Sequence, residues 1–468
     1  MTQKEKVDFS EKFETVEILK LEGVELKPKA LAFFVKYTSA PQIAFKLHNA
    51  EPYKTGNVSN VMTFIDHEMP RPQTFKEIYE KVKNFYQSRV ALIDEREYLI
   101  FASFTILSWL WDGLEKVPYL QFLGAPGTGK TRACEALSEL CYRNVLGGNV
   151  SVAALPRLIH HFHALPILDE FTATNDEEKS EIIKILNAGY RRGQYYVRAG
   201  KEKDEVIKLH VFSPKVIAGT EPLAPTLLSR CITINMYRIK IKPTKTFPEE
   251  RLWYLDILSR MRFHNLKTDF TKFISEIESV LIDTGFDSRF AEISAPLIFF
   301  TPSEDLKNLL EYFLEKYKIR SEEEKTSLEG EVVKIIDELM QKQGSNNPSC
   351  LKVSEIVEAY LTTNHIDTRQ RPRYDSIIGK VLSRLGLNKK RTEEGNIIVI
   401  ENKKWELIKK RYLEEEKVPE DITLIGKISS CIFEKIFVPI SFEPLLDSDS
   451  SNSPSDHTDH MDHREQKV

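Results

Sequence analysis

Apolar residues recur at two distinct periods along the first half of this chain. Helical spacing runs from Thr74 to Ser88 and again from Glu95 to Leu114, where Gly113 and Pro118 end the second helix. Short apolar runs between turn residues predict strands at Tyr119–Leu123, Ala164–Leu168, Lys215–Ala218 and Ile232–Met236. Helices are expected between them, over Lys130–Tyr142, Val152–Phe162 and Asp176–Tyr190. Alternating strands and helices imply an α/β domain with a parallel sheet and helical flanks, with ligands at the strand C-termini. Two β-rich arms, Gln194–Val197 and Val206–Phe212, form a hairpin around the charged tip Arg198–Asp204.

The pattern divides the chain into five parts. Residues 1–85 hold short apolar segments such as Leu31–Val35 and Val61–Ile65, and read as an N-terminal α/β domain without a chemical motif. Residues 86–245 form the α/β core, and 246–345 a charged helical lid or linker. Residues 346–415 are a small module: a helix at Val353–Leu361, a second at Asp375–Leu385, a hairpin over Asn388–Ile400 and a last helix at Trp405–Tyr412. Order fades from 416, and the Ser/Asp/His tail from 446 is too polar to bury a core. Its three histidines, His457, His460 and His463, alternate with Asp456, Asp459 and Asp462 and read as low-complexity sequence, or as a weak metal chelate.

Composition adds little: 41% hydrophobic and 29% charged residues with a net charge of −4 describe an ordinary globular chain, so any nucleic-acid contact needs a local basic patch. Five scattered cysteines without a C-x-x-C pair argue against a zinc site or disulfide framework and fit a reducing, cytoplasmic setting. The longest uncharged run, Tyr98–Trp111, is too short to span a bilayer and is expected as a buried helix beneath the sheet. The charged N-terminus lacks an apolar secretory core.

The chemistry begins at the end of the first core strand. Gly124, Ala125, Pro126, Gly127, Thr128, Gly129, Lys130 and Thr131 spell G-x-x-x-x-G-K-T between a strand and a helix. Such a turn meets a triphosphate with inward N–H groups, the glycines taking positive φ, and with the positive end of the following helix. Lys130 would charge-pair with the β- and γ-phosphates, and the Thr131 hydroxyl would take a place on Mg²⁺. Asp169 and Glu170 end the next predicted strand; hydrolysis of ATP needs one acid for Mg²⁺ and one to orient water, which assigns Asp169 to the metal and Glu170 to the water. Thr220, ending another strand, would position that water, or is a plain turn hydroxyl. Arg230, just before a strand, suits an arginine supplied by a neighbouring subunit, or pairs with a local acid. Arg289 would face the nucleotide from the helical lid, or is a surface arginine.

Two regions are candidates for DNA. The hairpin tip carries Arg198, Lys201 and Lys203 among acids, which makes it either a loop reaching phosphates in a ring channel or a solvated turn. From 352 to 412 there are 14 Lys/Arg and 8 Asp/Glu, a local net of +6 in an acidic chain. Arg373, Lys380, Arg384, Lys389, Lys390 and Arg391 cluster around the second helix and the hairpin of a winged-helix outline, where a helix fits the major groove.

Taken in order, Gly124–Thr131, Asp169-Glu170, the hairpin before a polar-ended strand and Leu228-Ser229-Arg230 resemble an AAA+ ATPase, with the hairpin and the Leu-Ser-Arg element similar to the minichromosome-maintenance and superfamily 3 helicase groups. The stretch from Thr74 to Arg238, including Leu186-Asn-Ala-Gly-Tyr-Arg-Arg-Gly193, also resembles helicase-like ATPases of phage, plasmid and archaeal elements. The resemblance covers about a third of the chain plus the small module. It implies an ATP- and Mg²⁺-dependent ATPase that forms a homo-oligomeric ring on DNA, with Arg230 acting in trans; where AAA+ proteins usually carry Asn at the sensor position, this chain has Thr220. A nucleotide-gated DNA-binding regulator shares every motif, whereas a P-loop kinase is disfavoured by the tandem acids, Arg230 and the lack of an acceptor-binding lid.

Overall fold

The computed structural model describes residues 58–60, 72, 74–148, 150–170, 176–200, 205–240, 242, 244–265, 268–343, 350–393, 395–414 and 423–437. The segments expected at Leu31–Val35 and Val61–Ile65, and the tail from 446, lie outside the described residues.

A five-stranded sheet organises the chain. Its strands are β1 (Tyr119–Leu123), β2 (Asn144–Gly147), β3 (Leu165–Leu168), β6 (Lys215–Gly219) and β7 (Cys231–Asn235), in the order β2-β3-β6-β1-β7, and all their pairings are parallel. The central strands are buried on both faces, as a sheet covered on both sides requires. Strand β2 carries no sequence signal strong enough to separate it from a turn: only Val145 and Leu146 are apolar, and Leu146 is 41% exposed at the sheet edge. The hairpin β4 (Tyr195–Ala199) and β5 (Val206–His210) is a separate two-stranded ribbon.

Helices α1 (Phe75–Gln87) and α2 (Glu97–Leu110) precede the sheet. Thr74 and Glu77 close a capping box on α1. Every residue of α2 is buried, the signature of a helix apolar on all sides. Its ring of Phe101 stacks on Phe122 of β1 at 5.3 Å, which puts the uncharged run beneath the sheet as its composition predicts. The buried hydroxyls of α2 are matched: Ser103 bonds Tyr79 and Thr301, and Thr105 bonds Tyr86. Helix α3 (Lys130–Leu140) follows β1, α4 (Ala154–Phe162) precedes β3, α5 (Asp176–Ala188) precedes the hairpin, and the short α6 (Pro225–Leu228) precedes β7. Helices α7 (Pro248–Asn265), α8 (Thr271–Asp283), α9 (Ser288–Phe299) and α10 (Ser303–Lys325) complete the first core.

A second core lies further along the chain. It contains α12 (Val353–Thr363), α13 (Arg371–Arg384) and α14 (Asn402–Tyr412), with the antiparallel sheet β8 (Cys350–Lys352), β10 (Gly395–Val399), β9 (Lys389–Thr392) in the order β8-β10-β9. Helix α11 (Leu328–Gln343) contributes Val332, Val333, Ile335 and Ile336 to this core, so a helix that charge patterning groups with the preceding helical segment packs with the module after it.

The chain then returns to the first core through α15 (Thr423–Ile428) and the turn that follows. Phe433 is fully buried, with its ring 4.9 Å from Phe75, 5.3 Å from Phe300, 5.7 Å from Phe270 and 5.8 Å from Phe299. Glu434 accepts from the Ser303 backbone N–H at 2.9 Å. Residues 423–437 therefore pack onto the first core, beyond position 416, where polarity alone ends order. Among the described residues no helix is long and apolar enough to cross a membrane.

Removing the Phe433 ring from this cage should cost about 3–5 kcal/mol. Urea denaturation of full-length Phe433→Ala, followed by tryptophan fluorescence, is expected to show that loss; a change below about 1 kcal/mol would mean the rings do not pack as described.

Candidate functional site

Parallel pairing aligns three chain exits at one end of the sheet. Strands β1 and β6 pair Leu123 with Gly219, and β3 and β6 pair Leu168 with Ile217. The turn after β1, Thr220 after β6 and Asp169-Glu170 after β3 therefore leave the sheet within one or two residues of the same level. Strands β3 and β1 flank β6, so the acids and the turn face each other across about 10 Å.

The turn runs Gly124–Gly129 into the N-terminus of α3. Gly127 and Gly129 have φ of 78° and 94°, as the sequence pattern requires. Gly124 is not among the positive-φ residues, contrary to expectation. Its requirement is room, since a Cβ there would run into the Met236 carbonyl oxygen and lie 2.9 Å from Thr128 Oγ1. The Lys130 side chain is 7% exposed, and its ammonium donates to the Gly124 and Ala125 carbonyls at 2.7 and 2.9 Å. Thr131 is exposed on the first turn of α3.

Across the cleft, Asp169 Oδ1 is buried without a hydrogen-bond partner among the described residues. The Asp169 charge adds to burial in pushing the Cys134 thiol of α3 upward, which places the acid beside the helix that the glycine turn opens. Glu170 is exposed and has φ of 54°. A non-glycine residue in that region stores about 1–3 kcal/mol of strain; Asn60, Arg143, His163 and His365 share that conformation. The Gly124 N–H donates to the Gly219 carbonyl at 3.3 Å, which brings the residue after it, Thr220, beside the glycine turn. Together these groups could hold a phosphate chain, a divalent cation and a water. Among the described residues no group of three His, Cys, Asp or Glu side chains would cage a metal by itself. Mg²⁺ needs fewer protein ligands, because it keeps waters and takes oxygens from substrate phosphates, and the orphaned Asp169 oxygen suits that use.

Arg230 and Arg289 lie at the opposite end of the sheet. The Arg230 carbonyl accepts from the N–H of Tyr119, the first residue of β1. A five-residue strand, about 15 Å, separates it from the glycine turn of its own chain. Its guanidinium stands 5.5 Å from the Tyr190 ring and donates to the Thr226 carbonyl, while its Nε is buried without a partner. Arg289, expected opposite the nucleotide, packs on that same ring at 5.2 Å and pairs with Glu292 at 2.6 Å. It lies in the first turn of α9, which Asp287 caps, and its contact with Tyr190 sets it at the end of the sheet away from the turn of its own chain. Burial first, and Arg289 second, lower the Arg230 pKa.

The DNA candidates divide. Arg198 lies on β4, half-buried with Nε enclosed and unbonded, on the ribbon face opposite the exposed Tyr195 and Val197. It does not project from the tip. Lys201 and Lys203 lie outside the described residues. In the second core, Lys380, Arg384 and Lys389 line one cleft of about 690 Å³ with Ser376, Gly379 and Ser383. Lys390 and Arg391 are exposed along β9 and Arg373 on the N-terminal half of α13. Arg384 also pairs with Glu329 of α11 at 2.9 Å.

Neither a protein-family model nor a curated protein sequence matches the chain. Solved structures do match. One is described as SCCmec type IV Cch, an active helicase, with 14% identity over 73% of this chain and 72% of that one and a TM-score of 0.37. Another is the JCV helicase, at 14% identity over 55% and 64% of the two chains with a TM-score of 0.22. A third is the apo form of the NrS-1 C-terminal region, at 11% identity over 72% and 77% with a TM-score of 0.30. The fold itself is α/β of the P-loop kind, a parallel five-stranded sheet flanked by helices with the glycine turn between β1 and α3.

Gly124→Ala is expected to weaken binding of a fluorescent ATP analogue at least about tenfold, because the turn must shift away from Met236. Unchanged affinity in a fluorescence titration would show that the close approach at Gly124 is dispensable.

Proposed function

We propose that this protein is an ATP-hydrolysing P-loop enzyme that acts on DNA, an oligomeric AAA+ helicase-like replication protein of a mobile element. The observation that carries the reading is the alignment of the glycine turn, Asp169, Glu170 and Thr220 at one end of the sheet. ATP would bind with its phosphates in the Gly124–Thr131 turn, and Lys130 would leave its loop carbonyls to neutralise the β- and γ-phosphates. Asp169 and the Thr131 hydroxyl would hold Mg²⁺, which supplies charge neutralisation on the phosphates. Glu170, with Thr220 beside the turn, would orient the water that attacks the γ-phosphorus. The bond to the β-phosphate oxygen breaks, and ADP and phosphate leave.

The position of Arg230 supports a nucleotide shared between copies. About 15 Å from the turn of its own chain, it would serve only the nucleotide of a neighbour, which is what a ring provides. Arg289, on the same tyrosine, would reach the same neighbour. The basic cleft at Lys380, Arg384 and Lys389, with the Lys390–Arg391 strand, would hold DNA as the winged-helix outline suggests.

ATPase activity of the wild type and of Lys130→Ala, each with single- and double-stranded DNA, tests this directly. The wild type should hydrolyse ATP and respond to DNA, and Lys130→Ala should lose at least about 100-fold; hydrolysis indifferent to Lys130 and to both DNAs would sink the reading. Strand displacement separates a motor from a nucleotide-gated regulator, which would bind one duplex sequence and not unwind it.

A mixing experiment tests the shared site. Arg230→Ala and Lys130→Ala should each be inactive alone, while an equimolar mixture recovers about a quarter of wild-type activity, because a quarter of randomly formed interfaces pair an intact Lys130 with an intact Arg230. No recovery in mixtures that co-assemble would exclude action in trans.

A further inference from the structure

The hairpin and Arg230 are joined by one buried lysine. Lys215 opens β6 with 0% exposure, and among the described residues no carboxylate is a hydrogen-bond partner. Its ammonium donates to three backbone carbonyls: Ser213 at 2.7 Å, Val211 at 3.0 Å and Gly189 at 3.3 Å. Val211 and Ser213 are the first and third residues past the hairpin strand β5, and Gly189 directly follows α5. The Tyr119 ring lies 4.7 Å from the ammonium. Taking an ammonium from water costs several kcal/mol, and burial depresses its pKa well below that of a free lysine. Three carbonyls, the negative end of α5 and an aromatic face offset that cost here.

The Gly189–Gly193 segment carries the connection onward. A side chain at Gly189 would strike the Val211 carbonyl and the Lys215 ammonium, so glycine is needed for the pin to seat. Tyr190 is next in the chain; its carbonyl accepts from Val117, and its ring is the surface on which Arg230 and Arg289 lie. Asn187 donates to Thr226 Oγ1 at 3.4 Å, and the Thr226 carbonyl accepts from Arg230. Arg192 donates to the Leu114 carbonyl at 2.9 Å and lies over Phe212, in the stretch leaving the hairpin. The links named here are direct: Val211 and Ser213 to Lys215, Lys215 to Gly189, and Tyr190, bonded to Gly189, to Arg230.

We propose that Lys215 is a positioning residue: it locks the hairpin exit to Gly189, so that a shift of the hairpin passes through Tyr190 to Arg230 and couples what the hairpin touches to hydrolysis at the neighbouring copy. This rests on the proposed function, in which Arg230 serves a neighbour's nucleotide, and on the reading of the hairpin from sequence as a loop that reaches DNA phosphates. A rigid body that moves as one unit is a physical route for such coupling, whereas spatial proximity alone is not.

The test is DNA-stimulated ATPase activity of full-length Lys215→Met, with a mixed-sequence single-stranded oligonucleotide as probe and thermal unfolding measured in parallel. The side chains are of similar length, and the variant lacks the three donated hydrogen bonds. Basal hydrolysis and affinity for a fluorescent ATP analogue should stay within about twofold of wild type, while the ratio of stimulated to basal rate falls to about one. Stimulation that survives overturns the proposal. So does a parallel loss of basal and stimulated rates, which a merely structural pin would give. If Lys215→Met does not fold, Gly189→Ala displaces the ammonium while leaving the lysine in place, and the same ratio is read. Tyr190→Phe, which keeps the ring, should retain stimulation. A wild type without DNA stimulation would instead defeat the functional reading beneath the proposal.

Discussion

The register of one strand governs this molecule. Strand β1 pairs with β6 on one side and β7 on the other, in step from Tyr119 to Leu123. Parallel pairing in register gives the sheet two chemically different ends. At one end the glycine turn, Thr220 and the acids after β3 emerge together; at the other, Tyr119 meets Lys215, Tyr190 and Arg230. A slip of one residue would turn the side chains of β1 to the opposite faces and undo both assemblies. The wholly buried α2 resists such a slip, since Phe101 stacks on Phe122 of β1 and Trp109 donates to the Leu140 carbonyl at the end of α3.

The two ends differ in how they handle charge. At the glycine turn, Lys130 rests on backbone carbonyls, an arrangement easily exchanged for phosphate oxygens. At the far end Lys215 also rests on carbonyls but is sealed, so exchange there would mean opening the core. Arg230 is intermediate: half-buried, stacked on Tyr190 and repelled by Arg289, it keeps an enclosed Nε without a partner. An arginine held in that state gains most from an incoming anion, because a buried unpaired donor is costly.

The second core is tied to the first by more than sequence. Arg411 pairs with Glu324 of α10 at 3.2 Å, and the chain re-enters the first core to bury Phe433 among four other phenylalanine rings contributed by α1, the start of α8 and the end of α9. Both attachments come from the chain that follows the basic cleft, and both reach the body that carries the glycine turn. Exposed ion pairs such as Arg411–Glu324 contribute little to stability; the buried aromatic cluster is the stronger of these attachments.

The sequence by itself determined the parts that depend on local chemistry. Strand β1 matches its apolar run residue for residue, the turn glycines at 127 and 129 match their φ, and both acids sit at the end of the strand that their apolar prefix predicts. Periodicity, glycine and capping act within a few residues, so they are legible in one dimension. Only the tertiary structure decided which charges share a space. Arg289 reads as a lid residue because it begins a capped helix after the core, and nothing local reveals that α9 lies against Tyr190. Arg198 reads as a hairpin-tip cation, yet the alternation of the ribbon turns it inward. Strand β2, the allegiance of α11 and the return of Phe433 all depend on long-range burial, which gives a short or mildly apolar segment its structure without marking its sequence. Lys215 is the sharpest case: a charge opening an apolar strand looks like a boundary, and only the three carbonyls folded around it make it a core residue.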